Sequence, residues 1–257
     1  MRIVLIGAGR LATQLAQALN EAGHQLLAVY SRTMTSAEAL GRLVGCRAVD
    51  DVKALPIEAD AFIITVKDSA IGELLPQLAE GREGQTFFHT AGSVPLSVFD
   101  STGLMHYGVL YPMQTFSKKR KVDFSRVPLF IEGSDAGTIA LAQKLAASVS
   151  QSVRELSSEQ RRYLHLAAVF ACNFANACYA ISSDVAAKAG LPFEVMIPLI
   201  EETAAKVGTM HPLDAQTGPA VRYDEQVIEA QSRLLADTPQ IREVYDLMSK
   251  LIHQQHT

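Results

Sequence analysis

Strand and helix patterns alternate over residues 1–156 and helical patterns alone fill residues 157–257, so the sequence predicts an α/β domain followed by an all-α domain. A second observation narrows the first domain. The apolar run at residues 3–6 leads into Gly7-Ala8-Gly9-Arg10-Leu11-Ala12 and then an amphipathic pattern, which is strand, glycine turn and helix in succession. Gly7 permits the tight turn, Gly9 permits a pyrophosphate to approach the backbone, and the small Ala12 lets helix and strand pack closely. The first-turn N–H groups of that helix then face the phosphates. This is the cradle of a Rossmann dinucleotide-binding domain, and it assigns Gly7, Gly9, Arg10, Leu11 and Ala12 to cofactor binding.

The first helix is expected over residues 10–22, ended by Gly23-His24, and the second strand over 26–30. Further strands are expected at 61–66, 86–89, 107–111 and 127–132, with helices at 70–79 and 136–149. Such alternation implies a mostly parallel sheet covered by helices. Beyond residue 156, Ser157-Ser158-Glu159-Gln160 reads as a capping box opening a helix that Gly190 and Pro192 stop. At 1.5 Å per residue it is about 45 Å long, more than a small helical domain easily buries, so a partner is expected to cover part of it. Helices at 193–207, kinked or restarted by Pro198, at 224–236, and at 239–252, capped by Thr238, complete the domain around a loop at 210–223.

The 257 residues, 48% hydrophobic and 19% charged, suffice for two ordinary domains with buried cores. A net charge of −4 gives no general attraction to nucleic acid or anionic membrane, and the run Lys118-Lys119-Arg120-Lys121 reads as a solvated loop rather than a phosphate clamp. No leader pattern precedes the first strand, and no apolar stretch approaches about eighteen residues free of polar groups, so a cytoplasmic protein is expected. Cys46, Cys172 and Cys178 form no Cys-x-x-Cys pair and are expected to be small core residues, not a disulfide framework.

The second strand ends in Ser31-Arg32-Thr33, with no acid between Glu21 and Glu38. A carboxylate there would hold the ribose of NAD and repel a 2′-phosphate, whereas Arg32 with the Ser31 and Thr33 hydroxyls favours NADP. Arg32 stacked on adenine or turned to water is the alternative. A parallel sheet places ligands at the carboxyl ends of its strands, which adds Thr65, Val66, Lys67, Thr90 and Gly92 to the cofactor set. His89 and Gln114 fall on the substrate side of the same edge, His89 reading as an acid, a base or a hydrogen-bonded structural residue.

On an ideal wheel the long helix presents Leu164, Ala168, Ala171, Phe174, Cys178, Ile181 and Val185 on one face, and His165, Asn173 and Asn176 within an arc of about 80° opposite. Neutral polar groups point to a buried or cleft-lining stripe, serving either a substrate or a core or dimer interface. In the loop before the helix at 224, Arg222 suits a carboxylate with Asp224 positioning it, or the two pair and cap that helix. His253 and His256 lie at a terminus expected to fray, and no bound metal is expected.

Gly7-x-Gly9-x-x-Ala12, Ser31-Arg32-Thr33, the segments 89–93 and 111–116, and Thr217-Gly218-Pro219 followed by Arg222 and Asp224 together resemble a bacterial family of NADP oxidoreductases. That family joins a Rossmann-like domain to a helical domain of unknown function. It is related in architecture to pyrroline-5-carboxylate reductase, deazaflavin-dependent NADP reductase and the 6-phosphogluconate dehydrogenase C-terminal-like helical domains. The likeness spans nearly the whole chain and implies NADP as cofactor and a homodimer through the helical domain, without naming a substrate. Hydroxyacid dehydrogenases of this architecture carry a lysine one turn before the helix asparagine, where this chain has Val169 before Asn173. His165, two turns before Asn173, is therefore expected to donate the proton, with Asn173 as its catalytic companion and Asn176 toward the substrate.

The expected function is hydride transfer between NADP(H) and a small, carboxylated substrate at the cleft between domains 1–156 and 157–257. An NADP(H)-binding sensor without turnover is the alternative. A methyltransferase fits less well, because it would want an acid after the second strand.

Overall fold

A computed structural model describes all residues, Met1–Thr257, and in it the alternating patterns build one eight-stranded sheet. Its strands are β1 (Arg2–Ile6), β2 (Gln25–Tyr30), β3 (Arg47–Val49), β4 (Ala61–Ile64), β5 (Thr86–His89), β6 (His106–Pro112), β7 (Leu129–Gly133) and β8 (Val153–Glu155), in the spatial order β3-β2-β1-β4-β5-β6-β7-β8. Every neighbouring pair is parallel except β6 and β7. The winding direction reverses between β1 and β4, and such a reversal opens a crevice at the carboxyl ends of the strands.

Helices α1 (Arg10–Glu21), α2 (Met34–Val44), α3 (Asp68–Ala79) and α4 (Ala136–Ala147) cover the sheet. Side chains alternate across a strand, so Ile3, Leu5 and Ile63 pack with Ala12, Leu15 and Leu145 on one face. Val4, Ile6, Phe62 and Ile64 pack with Ile71, Leu75 and Leu78 on the other. Both faces are dry, which is why these strands read as unbroken apolar runs. At the edge opposite the crevice, buried Arg82 has no acid partner. Its guanidinium donates to five main-chain carbonyls, those of Val52, Leu55, Pro56, Leu78 and Glu80.

Residue contacts divide the chain into two compact units, Met1–Cys172 and Asn173–Thr257. The capping box is present: Ser157 Oγ accepts from the Gln160 N–H at 3.2 Å and Gln160 Oε1 accepts from the Ser157 N–H at 3.0 Å. It opens α5 (Ser158–Ala168), which continues through a π-turn at Val169–Phe174 into α6 (Ala175–Lys188). The resulting 31-residue helix is long and apolar enough, by length and composition, to cross a membrane, although His165, Asn173, Asn176 and Asp184 interrupt it with polar groups.

The π-turn also corrects the ideal wheel. It adds a residue to one turn, so the apolar and polar stripes do not run straight through it. Phe174 is 50% exposed and Val185 44%, and Asn173 and Asn176 are exposed rather than buried.

After α6 come α7 (Ile197–Val207), restarted at Pro198, the single turns α8 (Pro212–Ala215) and α9 (Pro219–Arg222), then α10 (Glu225–Arg233) and α11 (Pro239–Gln254). The segment expected as a loop at 210–223 thus holds two helical turns, each started by a proline. Thr238 occupies the N-cap of α11, but its hydroxyl donates to the Leu235 carbonyl instead. The terminus does not fray as expected: the His253 ring stacks on Tyr223 at 4.4 Å, and the His256 ring bonds the Ile252 and Leu213 carbonyls. Of the three cysteines, Cys46 packs half-buried against the core as expected, whereas Cys172 is half-buried and Cys178 exposed, all as free thiols.

Candidate active site

The glycine turn fits a pyrophosphate for reasons visible at each residue. Gly7 has φ +122°, and a Cβ there would lie 2.7 Å from Thr65 Oγ1 and 2.8 Å from the Thr65 carbonyl oxygen. Any other residue would displace β4 from the turn. At Gly9 a Cβ would meet nothing within 4 Å, so the chain there faces open space that a ligand can approach. No side chain caps α1 and no acid stands in its first turn, which leaves the N–H groups free for an anion. Arg10 is exposed beside them, Leu11 is half-buried, and Ala12 is buried under the helix.

Ser31, Arg32 and Thr33 connect β2 to α2, with Arg32 exposed and free of any ion pair. Thr33 is the N-cap of α2, and its hydroxyl donates to Ser36 Oγ at 2.9 Å. Two other threonines of the expected cofactor set turn inward. Thr65 donates its hydroxyl to the Ile6 carbonyl at 3.1 Å and Thr90 donates to the Ile64 carbonyl at 2.9 Å, so each ties the end of one strand to the next. Val66 packs into the core beneath α3, while Lys67 is exposed at the α3 N-cap.

Beyond β5 the chain forms a tight cluster that contains one expected catalytic residue and several that sequence reasoning missed. His165, on α5, has Nδ1 at 3.0 Å from the Tyr111 hydroxyl, and the rings meet edge to face with centroids 6.0 Å apart. Gly92 seats this pair: a Cβ there would stand 2.5 Å from His165 Nδ1 and 2.9 Å from Tyr111 Cζ. Burial, and next the charge of Asp68, push the Tyr111 hydroxyl above its usual pKa.

One turn before His165, the buried Arg161 guanidinium bonds Glu132 on β7, the Val94 carbonyl at 2.6 Å and Ser158 Oγ at 3.2 Å. Glu132 also accepts the Ser158 N–H at 2.9 Å. The start of α5 is thereby fastened to the sheet, and with it His165. Asp68, the first residue of α3, accepts a hydrogen bond from the Ser93 hydroxyl next to Gly92.

His89 is wholly buried, stacked on Phe99 with centroids 5.7 Å apart, and its Nδ1 accepts the Ala91 N–H at 3.2 Å. Burial first, then the charge of Arg161, pull its pKa down to about 3. At neutral pH it is an uncharged ring that shapes the segment carrying Gly92 and Ser93.

Gln114 is exposed and lines a cavity of about 650 Å³ with Arg120 and Arg126. The neighbouring basic loop is held to α1 by buried Gln14, which donates to the Ser117 and Arg120 carbonyls and accepts the Val122 N–H. Asn173, Asn176 and Arg222 belong to the second unit. Arg222 is exposed and does not pair with Asp224, whose carboxylate caps α10 through the Val227 N–H at 3.3 Å.

Residues 2–89 match the family model described as NADP oxidoreductase coenzyme F420-dependent, and residues 127–252 match a domain of unknown function, DUF2520. The solved structure of a "putative NADP oxidoreductase" from Bacteroides fragilis superposes with a TM-score of 0.94 at 49% identity, over 98% of each chain. The chain belongs to this family of NADP oxidoreductases. An imine reductase from Myxococcus stipitatus in complex with NADP+ superposes on this NADP oxidoreductase with a TM-score of 0.70 at 16% identity, over 99% of this chain and 93% of that one. At that distance the likeness shows the fold alone. A glutamyl-tRNA reductase from Myxococcus xanthus is 25% identical over 163 residues, covering 62% of the NADP oxidoreductase described here, which spans only 34% of that relative.

Proposed function

We propose that this oxidoreductase moves hydride between NADP(H) and a small substrate at the carboxyl edge of β1, β4 and β5, with Tyr111 and His165 delivering the proton. The 3.0 Å contact between their side chains, seated on Gly92, carries this reading. The turn at Gly7 and Gly9 with the first N–H groups of α1 holds the pyrophosphate, and Arg32 takes the 2′-phosphate. Bound NADP(H) supplies or accepts the hydride. The raised pKa of Tyr111 keeps its hydroxyl protonated at neutral pH, ready to give its proton to a substrate heteroatom and to regain one through His165. Thr65, Thr90 and His89 hold the strand ends and the 89–93 segment in place.

The substrate assignments in the helical unit belong to the same proposal: Arg222 for a carboxylate, Asn173 and Asn176 for hydrogen bonds. So does a cytoplasmic homodimer through the helical domain, supported by the exposure of Leu199 (65%), Leu234 (75%) and Leu247 (67%). A groove lined by Ile181, Val185, Leu234, Val244 and Met248 adds to that apolar surface.

Two measurements test the proposal. Tyr111→Phe and His165→Ala should each slow NADPH oxidation, in a screen of oxo acids and imines, by about a hundredfold or more while leaving NADPH affinity intact. Binding without turnover of any such substrate would favour the sensor reading. Arg32→Ala should weaken NADPH binding by about tenfold or more and leave NADH binding unchanged, and an unaltered preference would remove Arg32 from the 2′-phosphate site.

A further inference from the structure

We infer that the reacting group of the substrate is a cationic nitrogen, an iminium in one direction and an amine in the other, and that Asp68 recognises it. This rests on the reading of the site given above. Asp68 opens α3 at the carboxyl edge of β4, and its Oδ2 is held by the Ser93 hydroxyl. Ser93 adjoins Gly92, which touches both His165 and Tyr111. No lysine, arginine or histidine pairs with Asp68: the ion pairs of the chain all involve other acids. The carboxylate is nonetheless felt at the Tyr111 hydroxyl. An exposed carboxylate without an ion-pair partner therefore stands near the proton-transfer pair, where the charge of Arg161 acts against it, with one oxygen bonded to Ser93.

That arrangement separates two substrate classes. Reducing a carbonyl develops negative charge on oxygen, which a neighbouring unpaired carboxylate repels. An iminium instead arrives with a positive charge that the same carboxylate binds, and the carboxylate keeps the imine nitrogen protonated until hydride arrives. Hydride adds to the carbon of C=N⁺, the π electron pair becomes the nitrogen lone pair, and the positive charge disappears. The amine then takes one proton from Tyr111, which His165 replaces. In the opposite direction the carboxylate stabilises the positive charge that grows on nitrogen as hydride leaves.

The test is equilibrium binding of piperidinium and of its neutral isostere tetrahydropyran by calorimetry, with NADP+ present. The wild type should bind piperidinium about tenfold or more tightly than tetrahydropyran. Asp68→Asn should abolish that difference and leave tetrahydropyran and NADP+ binding unchanged, and Ser93→Ala should reduce the difference. NADPH oxidation should proceed with piperideine in preference to cyclohexanone. Equal binding of the two probes by the wild type overturns the inference, and that comparison requires no variant. So does an Asp68→Asn protein whose NADP+ to NADPH affinity ratio shifts while piperidinium binding does not, because the carboxylate then serves the cofactor. Failure of the wild type to bind NADP+ at all would instead overturn the cofactor site, and is read separately in the same titration.

Discussion

In the sheet unit Ile3, Leu5, Phe62 and Phe87 are wholly buried, whereas in the helical unit Ala186, Ala220 and Leu235 are the only buried apolar side chains. Both units are rich in apolar residues, so the contrast lies in where those residues go. A twisted parallel sheet offers two faces for helices to cover, and a single chain suffices to cover them. A long helix with a few short ones around it lacks a second layer, and leaves Leu199, Leu234 and Leu247 largely exposed. The sheet unit buries its apolar side chains within its own sequence, and the helical unit leaves many of its own at the surface.

The largest effect that would break this contrast is in the sheet. Phe62→Ala should cost about 4 kcal/mol in urea denaturation, and the loss should not depend on protein concentration. A concentration-dependent loss would mean that the sheet unit is not self-sufficient. Arg161→Met comes next, because it strands Glu132 without its guanidinium, and should cost about 3 kcal/mol by the same measurement.

A pH titration follows. His89 has a folded pKa near 3 against an ordinary 6.5, so below pH 6.5 the unfolded chain binds a proton that the folded chain refuses. Stability is therefore full above pH 6.5 and falls as the pH drops toward 3, by about 2 kcal/mol between pH 6.5 and 5. A His89→Gln protein should lack that slope, and an unchanged slope would show that His89 is not the group responsible.

The smallest effect on a lone chain sharpens the other side of the contrast. Leu234→Asp, at a side chain 75% exposed, should alter single-chain stability by less than about 0.5 kcal/mol, yet shift the sedimentation of the homodimer proposed above to that of a monomer. If the mass is unchanged, Leu234 is not part of a covering interface.

The mostly parallel sheet and the glycine turn were legible because each rests on contiguous residues: apolar runs of four to six, and glycines at fixed spacing. β3 and β8 were not, being three-residue edge strands too short to show a period. The site was legible only in part for a related reason. His165 stood out as a polar residue on an apolar helix and Tyr111 lay in a motif segment at a strand end, but nothing in the sequence joined these two to each other, or Arg161 to Glu132. Their pairing joins residues 54 and 29 positions apart, which no local pattern encodes. Thr65 and Thr90 erred the other way, since position at a strand end predicts ligand contact but not which direction a hydroxyl turns.

Arg82 has a consequence for the end of the sheet remote from the crevice. Of the five carbonyls at the turns around α3, that of Val52 also accepts the Leu55 N–H, and at the others one guanidinium does the work of hydration. Its positive charge is balanced there by carbonyl dipoles alone, with no acid to attract salt or titrate. Lysine, with three donors on one atom, would leave some of those oxygens dry. The protein thus carries at its base a small knot held by hydrogen bonds instead of an ion pair, on the side where no ligand is expected to arrive.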